Sequence, residues 1–431
     1  VKTSHLFLPI VVLSAVARAA AADVSFDSVL SMPELWTTNQ DAFESATKEM
    51  HLRWTSAAKD SARAASSEGL TLFGRQIYEF IVRFDGAKPA VVSANFFARG
   101  DAGDLTEPQF QKLLLETVEA ITKATGLKHT VRGKDASSAV KAEGLVWQTT
   151  KSQYLLEYSF TKEMKTRNIP FRAEFVRLEV RPVEKKASML TSATPTRGKF
   201  NPVQHVERKP DGDVWLKDIP MVDQGQKGYC VVASAERVMR YYGVDVDANE
   251  LAQIANTSAS GGTSLGAMTE SLKKVAARLR VRVREHEKLD VKMILELMKD
   301  YNRAAKKAKV SEIPEQGQML DVGEIYSSMK GPVLKEARTK NHAESGRFLR
   351  EIQAHVDVGI PLLWSVQLGL VEEPGLPQVN GGHMRLIIGY NPKSQEIIYS
   401  DSWGAGHERK RMKIDDAWTI TTSLMSIEPT A

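Results

Sequence analysis

Cys230 is the only cysteine among 431 residues, in the run Asp223-Gln224-Gly225-Gln226-Lys227-Gly228-Tyr229-Cys230-Val231. A glycine-rich turn leads into an apolar periodicity of Val231, Ala235, Val238, Met239 and Tyr242, closed by Gly243. The pattern predicts an amphipathic helix with the thiol in its first turn. There the unpaired N–H groups and the positive end of the helix dipole favour thiolate over thiol. Without a second cysteine, no disulfide can form within the chain. The competing role for a lone cysteine is that of a small buried apolar residue.

A thiol nucleophile needs a base to take its proton, and that base needs an orienting acceptor. Gly382-His383-Met384-Arg385-Leu386-Ile387-Ile388 reads as a strand that begins with a histidine, and Glu396-Ile397-Ile398-Tyr399-Ser400-Asp401 as one that ends with an aspartate. Asn391-Pro392-Lys393-Ser394 predicts a hairpin between them. His383 and Asp401 lie at similar distances from that turn and are expected to face each other across the ladder. Cys230, His383 and Asp401 thus supply nucleophile, base and orienter. Gln224, six residues before the thiol, can aim an amide N–H at an oxyanion alongside the Cys230 backbone N–H.

Among nine histidines, His407 is the rival base, because it follows Asp401 by six residues. It precedes Glu408-Arg409-Lys410-Arg411, a polar stretch that reads as solvent-exposed loop, so His383 is preferred. His342 and His355 read as surface residues without a partner, and His51 and His129 are isolated. Neither HExxH nor CxxC occurs, so no metal and no cofactor are expected.

Positioning this chemistry requires folded elements, and the chain has the composition to build them. It is 42% apolar and 26% charged, an ordinary globular balance, and its net charge of +5 makes no case for nucleic acid. Residues 1–22 read as a signal peptide: Lys2, an apolar run from Leu6 to Ala17, then small residues to Ala22. That run falls short of the roughly 20 residues a membrane-crossing helix needs. The expectation is an exported protein, periplasmic or extracellular, with no membrane span. Export without disulfides suits a bacterial setting.

Residues 23–186 predict an α+β domain around a small antiparallel sheet. Tyr78, Phe80, Val82 and Phe84 alternate as one strand, and Ala90 to Arg99 form a second. Thr106-Glu107-Pro108-Gln109 reads as a capping box for a helix ending at Gly126. Strands through Tyr154 to Phe160 and Phe171 to Val180 follow. No catalytic constellation is legible in this half. Residues 187–211, rich in Lys, Thr, Pro and Gly, read as a linker open to proteolysis, leaving 212–431 as the chemical domain.

This C-terminal domain resembles the papain-like cysteine peptidases, and most of all their bacterial C39-like branch. The resemblance rests on the Gln224-to-Cys230 spacing, the helix behind the cysteine closed by Tyr242-Gly243, and Gly261-Gly262-Thr263-Ser264-Leu265. It rests also on the late histidine and on Asp401-Ser402-Trp403-Gly404, similar to the asparagine-serine-tryptophan-glycine run of papain relatives. Tyr229 and Val231 depart from the residues that flank the cysteine in those families. About 60 residues between Glu285 and Ser345 look like an added helical segment. The resemblance implies a thiol peptidase or related amide hydrolase acting on a peptide or protein. A catalytically silent binding or adhesion protein, or an acyl transferase using the same site, are the alternatives. The N-terminal half is expected either to dock on the other half and regulate access to Cys230, or to target the enzyme without touching its groove.

Overall fold

The computed structural model describes residues 23–430 apart from 67–68, 134–139, 184–199, 226–228, 245, 258–264, 289, 315–321, 341 and 377–379. The expected signal peptide, most of the linker and the Gly261-to-Ser264 run lie outside the described residues. Two eight-stranded sheets organise the rest.

The N-terminal sheet is antiparallel throughout. From edge to edge its strands are Arg53–Trp54, Ser61–Ala65, Glu79–Asp85, Lys88–Ala98, Arg172–Pro182, Ser152–Thr161, Glu143–Gln148 and Thr130–Val131. The expectation of a small sheet is therefore corrected. The four central strands alternate apolar and polar residues, whereas the two edge strands have two residues each and no readable period. The helix Glu107–Thr125 begins with the expected capping box and ends at Gly126 with φ +69°. Its Phe110, Thr117 and Ile121 are buried, and Phe110 and Ile121 join Phe80, Trp147 and Leu156 in the core of this half.

The C-terminal sheet runs Val206–Arg208, Val214–Leu216, Gly381–Asn391, Leu362–Leu368, Thr421–Pro429 and Val281–Lys288, with Glu396–Ser400 and Lys410–Lys413 branching from Gly381–Asn391. Residues 200–211, assigned above to the linker, belong to this unit. Val206–Arg208 pairs with Val214–Leu216, and Phe200 packs edge-on against Tyr241 and Tyr242. Composition misses this because the strand is only three residues long.

Each face of this sheet is covered. Cys230–Tyr241 lays Val232, Ala235, Val238 and Met239 against Leu363, Met384, Leu386 and Ile388. The opposite core takes Trp364, Val366 and Ile387 together with Ile294 and Leu334 from the added segment and Phe348 just after it. That segment is helical over Val291–Ala308, Val322–Ser328 and Gly331–Thr339, and runs into the helix His342–Val356. No helix among the described residues is long and apolar enough to cross a membrane.

The two halves are docked, and the seam is polar. Arg177 pairs with Asp247, and lies 3.6 Å from Glu250. Arg99 and Arg172 both donate to Asn256, at 3.0 and 2.9 Å. Ala57 N donates to Glu408 at 2.7 Å. The residues around the thiol are part of this contact: Arg63 lies 3.6 Å from Asp223, and a Cβ at Gly100 would collide with the Tyr229 ring.

Candidate active site

Cys230 is the first residue of its helix, with Tyr229 at the N-cap, and its side chain is partly exposed. It faces the imidazole of His383 and favours the charged ring. On the other side of that ring, Nε2 lies 2.6 Å from Asp401 Oδ1. The structure thus brings Cys230, His383 and Asp401 together, with the histidine in the middle.

A register shift makes the His383–Asp401 contact possible. Near the turn, Asn391 pairs with Glu396 and Gly389 with Ile398. Continued without change, that register would set Asp401 opposite Leu386, on the face that packs against the Cys230 helix. The pairing slips by one residue between Ile387 and Gly389, so Leu386 meets Ser400 and Arg385 stands across from Asp401. A one-residue slip exchanges the faces of a strand, and Asp401 joins the face of His383 and Arg385. The expected direct His383–Asp401 pairing is corrected to a diagonal one.

Asp401 is fully buried and satisfied on both oxygens. Oδ1 accepts from His383 and from Ser402 N at 2.8 Å; Oδ2 accepts from Arg385 Nε at 2.8 Å. Arg385, also fully buried, donates through Nη1 to both Glu373 oxygens, at 3.1 and 3.0 Å. Tyr399 OH donates to Glu373 Oε2 at 2.5 Å. Sequence reasoning missed this Glu373–Arg385–Asp401 chain. Its one signal is an arginine inside the apolar run Met384 to Ile388, since arginine is rarely fully buried unless paired.

Electrostatics follow the geometry. Burial pulls the His383 imidazole down, but the hydrogen bonds to Asp401 and Cys230 outweigh it and raise it to about 9. Burial pushes Asp401 up, and the His383 hydrogen bond, with Arg385 behind it, holds the carboxyl below the usual range. Trp403 stacks on His383, with centroids 4.5 Å apart and planes 20° from parallel, and shields the imidazole face.

Two further residues tie the site together. Gln224 N donates to Ser402 O at 2.8 Å, and Ser402 Oγ donates to Gln224 Oε1 at 2.5 Å. This orients the amide with its oxygen toward the Asp401 side. Arg237, two turns further along the Cys230 helix, donates to Asp401 O at 2.9 Å, Ser400 Oγ at 2.5 Å and Pro220 O at 2.8 Å. The helix carrying the thiol is thereby fastened to the strand end carrying the aspartate. Gly404 has φ +80° and lies against Asp223, which a Cβ would approach to 3.1 Å.

The rival His407 is placed elsewhere. Its ring meets Trp403 edge-on at 5.6 Å, while its backbone O accepts from Asp401 N at 2.9 Å. Nor is the following stretch simply solvated: Glu408 reaches Ala57, and Arg411 pairs with Asp213 and Glu396. His355 is corrected too. It is half-buried beside His286, Glu351 and Glu428, brought together from strands and a helix distant in sequence.

A pocket of about 60 Å³ lies between the halves, lined by Arg63, Glu79, Asn95, Asp223, Gln224 and Tyr229 among others. Cys230, His383 and Asp401 are not among its lining residues, so it is a seam behind the thiol loop and not a groove over the thiol. No curated protein matches the chain. Residues 216–425 match the model of the Peptidase_C39 like family, and the C-terminal half of this chain belongs to that family.

Proposed function

We propose that the chain is a cysteine peptidase in which Cys230 attacks a peptide carbonyl, His383 carries the proton and Asp401 orients His383. The single observation behind this reading is the imidazole held between the Cys230 side chain and the buried Asp401 carboxylate. An imidazole raised to about 9 keeps its proton at neutral pH. As the sulfur–carbon bond forms and the carbon–nitrogen bond breaks, that proton passes to the departing amine. Water then loses a proton to His383, attacks the thioester and releases Cys230. The Gln224 NH2 and the Cys230 backbone N–H are the proposed oxyanion donors.

A peptide library incubated with the full chain and with Cys230→Ala tests the proposal. Cleavage by the first and none by the second is expected. No cleavage by the wild-type chain anywhere in a diverse library supports the silent binding protein instead. Export is proposed from the leader alone, and mass spectrometry of secreted protein should show a chain beginning near residue 23.

The N-terminal half is proposed to act through the loop before the thiol. Arg63 bridges Glu79, at 2.5 Å, and Asp223, while Asp223 Oδ1 accepts from Gly225 N at 2.8 Å. A folded chain beginning at Lys199 should differ from the full chain in hydrolysis and in Cys230 labelling. Equal values would refute regulation and leave targeting as the role.

A further inference from the structure

A bulge in Val281–Lys288 turns one histidine toward a helix that carries another. Pairing with Thr421–Pro429 slips between Glu285 and Glu287, so His286 is the extra residue, and a bulge re-aims the side chain it carries. The His286 ring meets that of His355, on the helix His342–Val356, at 4.4 Å between centroids. Glu351, one turn earlier on that helix, places Oε1 2.8 Å from His286 Nδ1 and 3.4 Å from His355 Nδ1. Both histidine side chains are nearly buried, whereas Glu351 is 34% exposed and leaves a route to solvent.

The surrounding hydrogen bonds decide what can lie between these groups. Ser426 Oγ donates to Glu428 Oε1 at 2.8 Å, and His286 Nε2 is 2.9 Å from the same hydroxyl oxygen. The hydroxyl proton is committed to Glu428, so Nε2–H is the donor to Ser426. In a neutral ring, the Nδ1 lone pair then faces a carboxylate oxygen at 2.8 Å. Two acceptors at that separation need a cation between them, either a second proton on His286 or a metal ion.

Two imidazoles and one carboxylate are a zinc donor set. Bonds of about 2.0–2.1 Å in a tetrahedron separate ligand atoms by about 3.3 Å, close to the 2.8 and 3.4 Å edges here. One ligand atom from each of the three residues lies within 4.8 Å of the others. His355 Nδ1 lies 2.9 Å from the Glu351 carbonyl oxygen and Nε2 lies 3.7 Å from Glu428 Oε1, so ligation through Nδ1 moves the ring proton to Nε2, which faces Glu428. We propose that His286, Glu351 and His355 bind one divalent transition-metal ion of the zinc class, with water as fourth ligand, clamping the helix to the bulged strand. Ser426 and Glu428 act as outer partners that fix the His286 tautomer.

The test uses the full chain with Cys230→Ser, which removes the thiol as a competing ligand. Metal-stripped protein is titrated with Zn²⁺ against a chromophoric chelator. One equivalent should be taken up, and His286→Asn and His355→Asn should each weaken uptake by at least about tenfold. Saturating Zn²⁺ should raise the thermal midpoint of the Cys230→Ser chain and leave both variants unmoved. If a histidine variant fails to fold, Glu351→Gln, on the exposed side of the cluster, carries the same comparison. No saturable uptake, or uptake equal in the Cys230→Ser chain and the folded variants, overturns the site and leaves a His286 imidazolium bonded to Glu351.

Discussion

The two halves each bury arginines against carboxylates, yet the networks end differently. In the N-terminal sheet, Glu157 is clamped by Arg177 and by Arg132 at 2.6 Å, and Arg177 continues to Asp247 and Glu250 across the seam. Glu174 is held by Arg172 at 2.5 Å and Arg99 at 3.3 Å, and both arginines reach Asn256. These charges terminate on the other half of the molecule. In the C-terminal sheet, Glu373, Arg385 and Asp401 run to His383 and from there to Cys230. Burial and pairing alone do not distinguish the two networks. The last group does, because a partly exposed thiol can react with something that enters from solvent.

The largest effect is expected at the reactive end of the C-terminal network. His383→Ala should lower kcat/KM by about 10²–10⁴-fold, the usual contribution of a positioned acid–base. Arg177→Met, in the other network, should leave a folded protein with His383 and its partners intact and a far smaller change in rate. A rate loss as large as that of His383→Ala would show that the two networks are not functionally distinct.

Stability should respond to both networks. Arg385→Met leaves Glu373 buried without its cation and Asp401 with His383 alone, and should cost about 3–5 kcal/mol in urea unfolding. Arg177→Met should cost a similar amount. Only Arg385→Met should move the acid limb of activity upward, because Arg385 helps hold Asp401 below the usual carboxylate range. An unchanged acid limb would remove Arg385 from the account of the site.

A smaller effect concerns pH. The folded pKa of His383, about 9, lies above its ordinary value of 6.5. The stabilisation is therefore complete below about pH 6.5 and is lost as pH rises toward 9, by roughly 3 kcal/mol at most. Urea unfolding of wild type and His383→Gln across that range should converge as pH rises. Parallel curves would mean that His383 is neutral in the folded protein.

Much of this was legible in the sequence where one residue type or a short local pattern carries the signal. The lone cysteine behind a glycine turn marks the start of Cys230–Tyr241, and Thr106 with Gln109 marks that of Glu107–Thr125. The hairpin residues brought His383 and Asp401 to the same end of two strands. Turn arithmetic could not see the slip at Ile388, which decides the face on which Asp401 lies. Glu373 was hidden because its loop carries no periodicity, although Arg385 in an apolar strand showed that some carboxylate had to be there. The His286–His355 pair depends on another bulge and on elements far apart in sequence. The docking seam is built from charges and amides, which in sequence look like any solvated surface.

His383 is proposed to activate Cys230. Because Cys230 is the only cysteine, mass spectrometry of iodoacetamide-treated protein reports on it alone. At pH 6.5, wild type should be alkylated at least about tenfold faster than His383→Ala and faster than a free thiol, which is mostly protonated there. Equal rates in wild type, His383→Ala and the free thiol would mean that His383 does not activate Cys230.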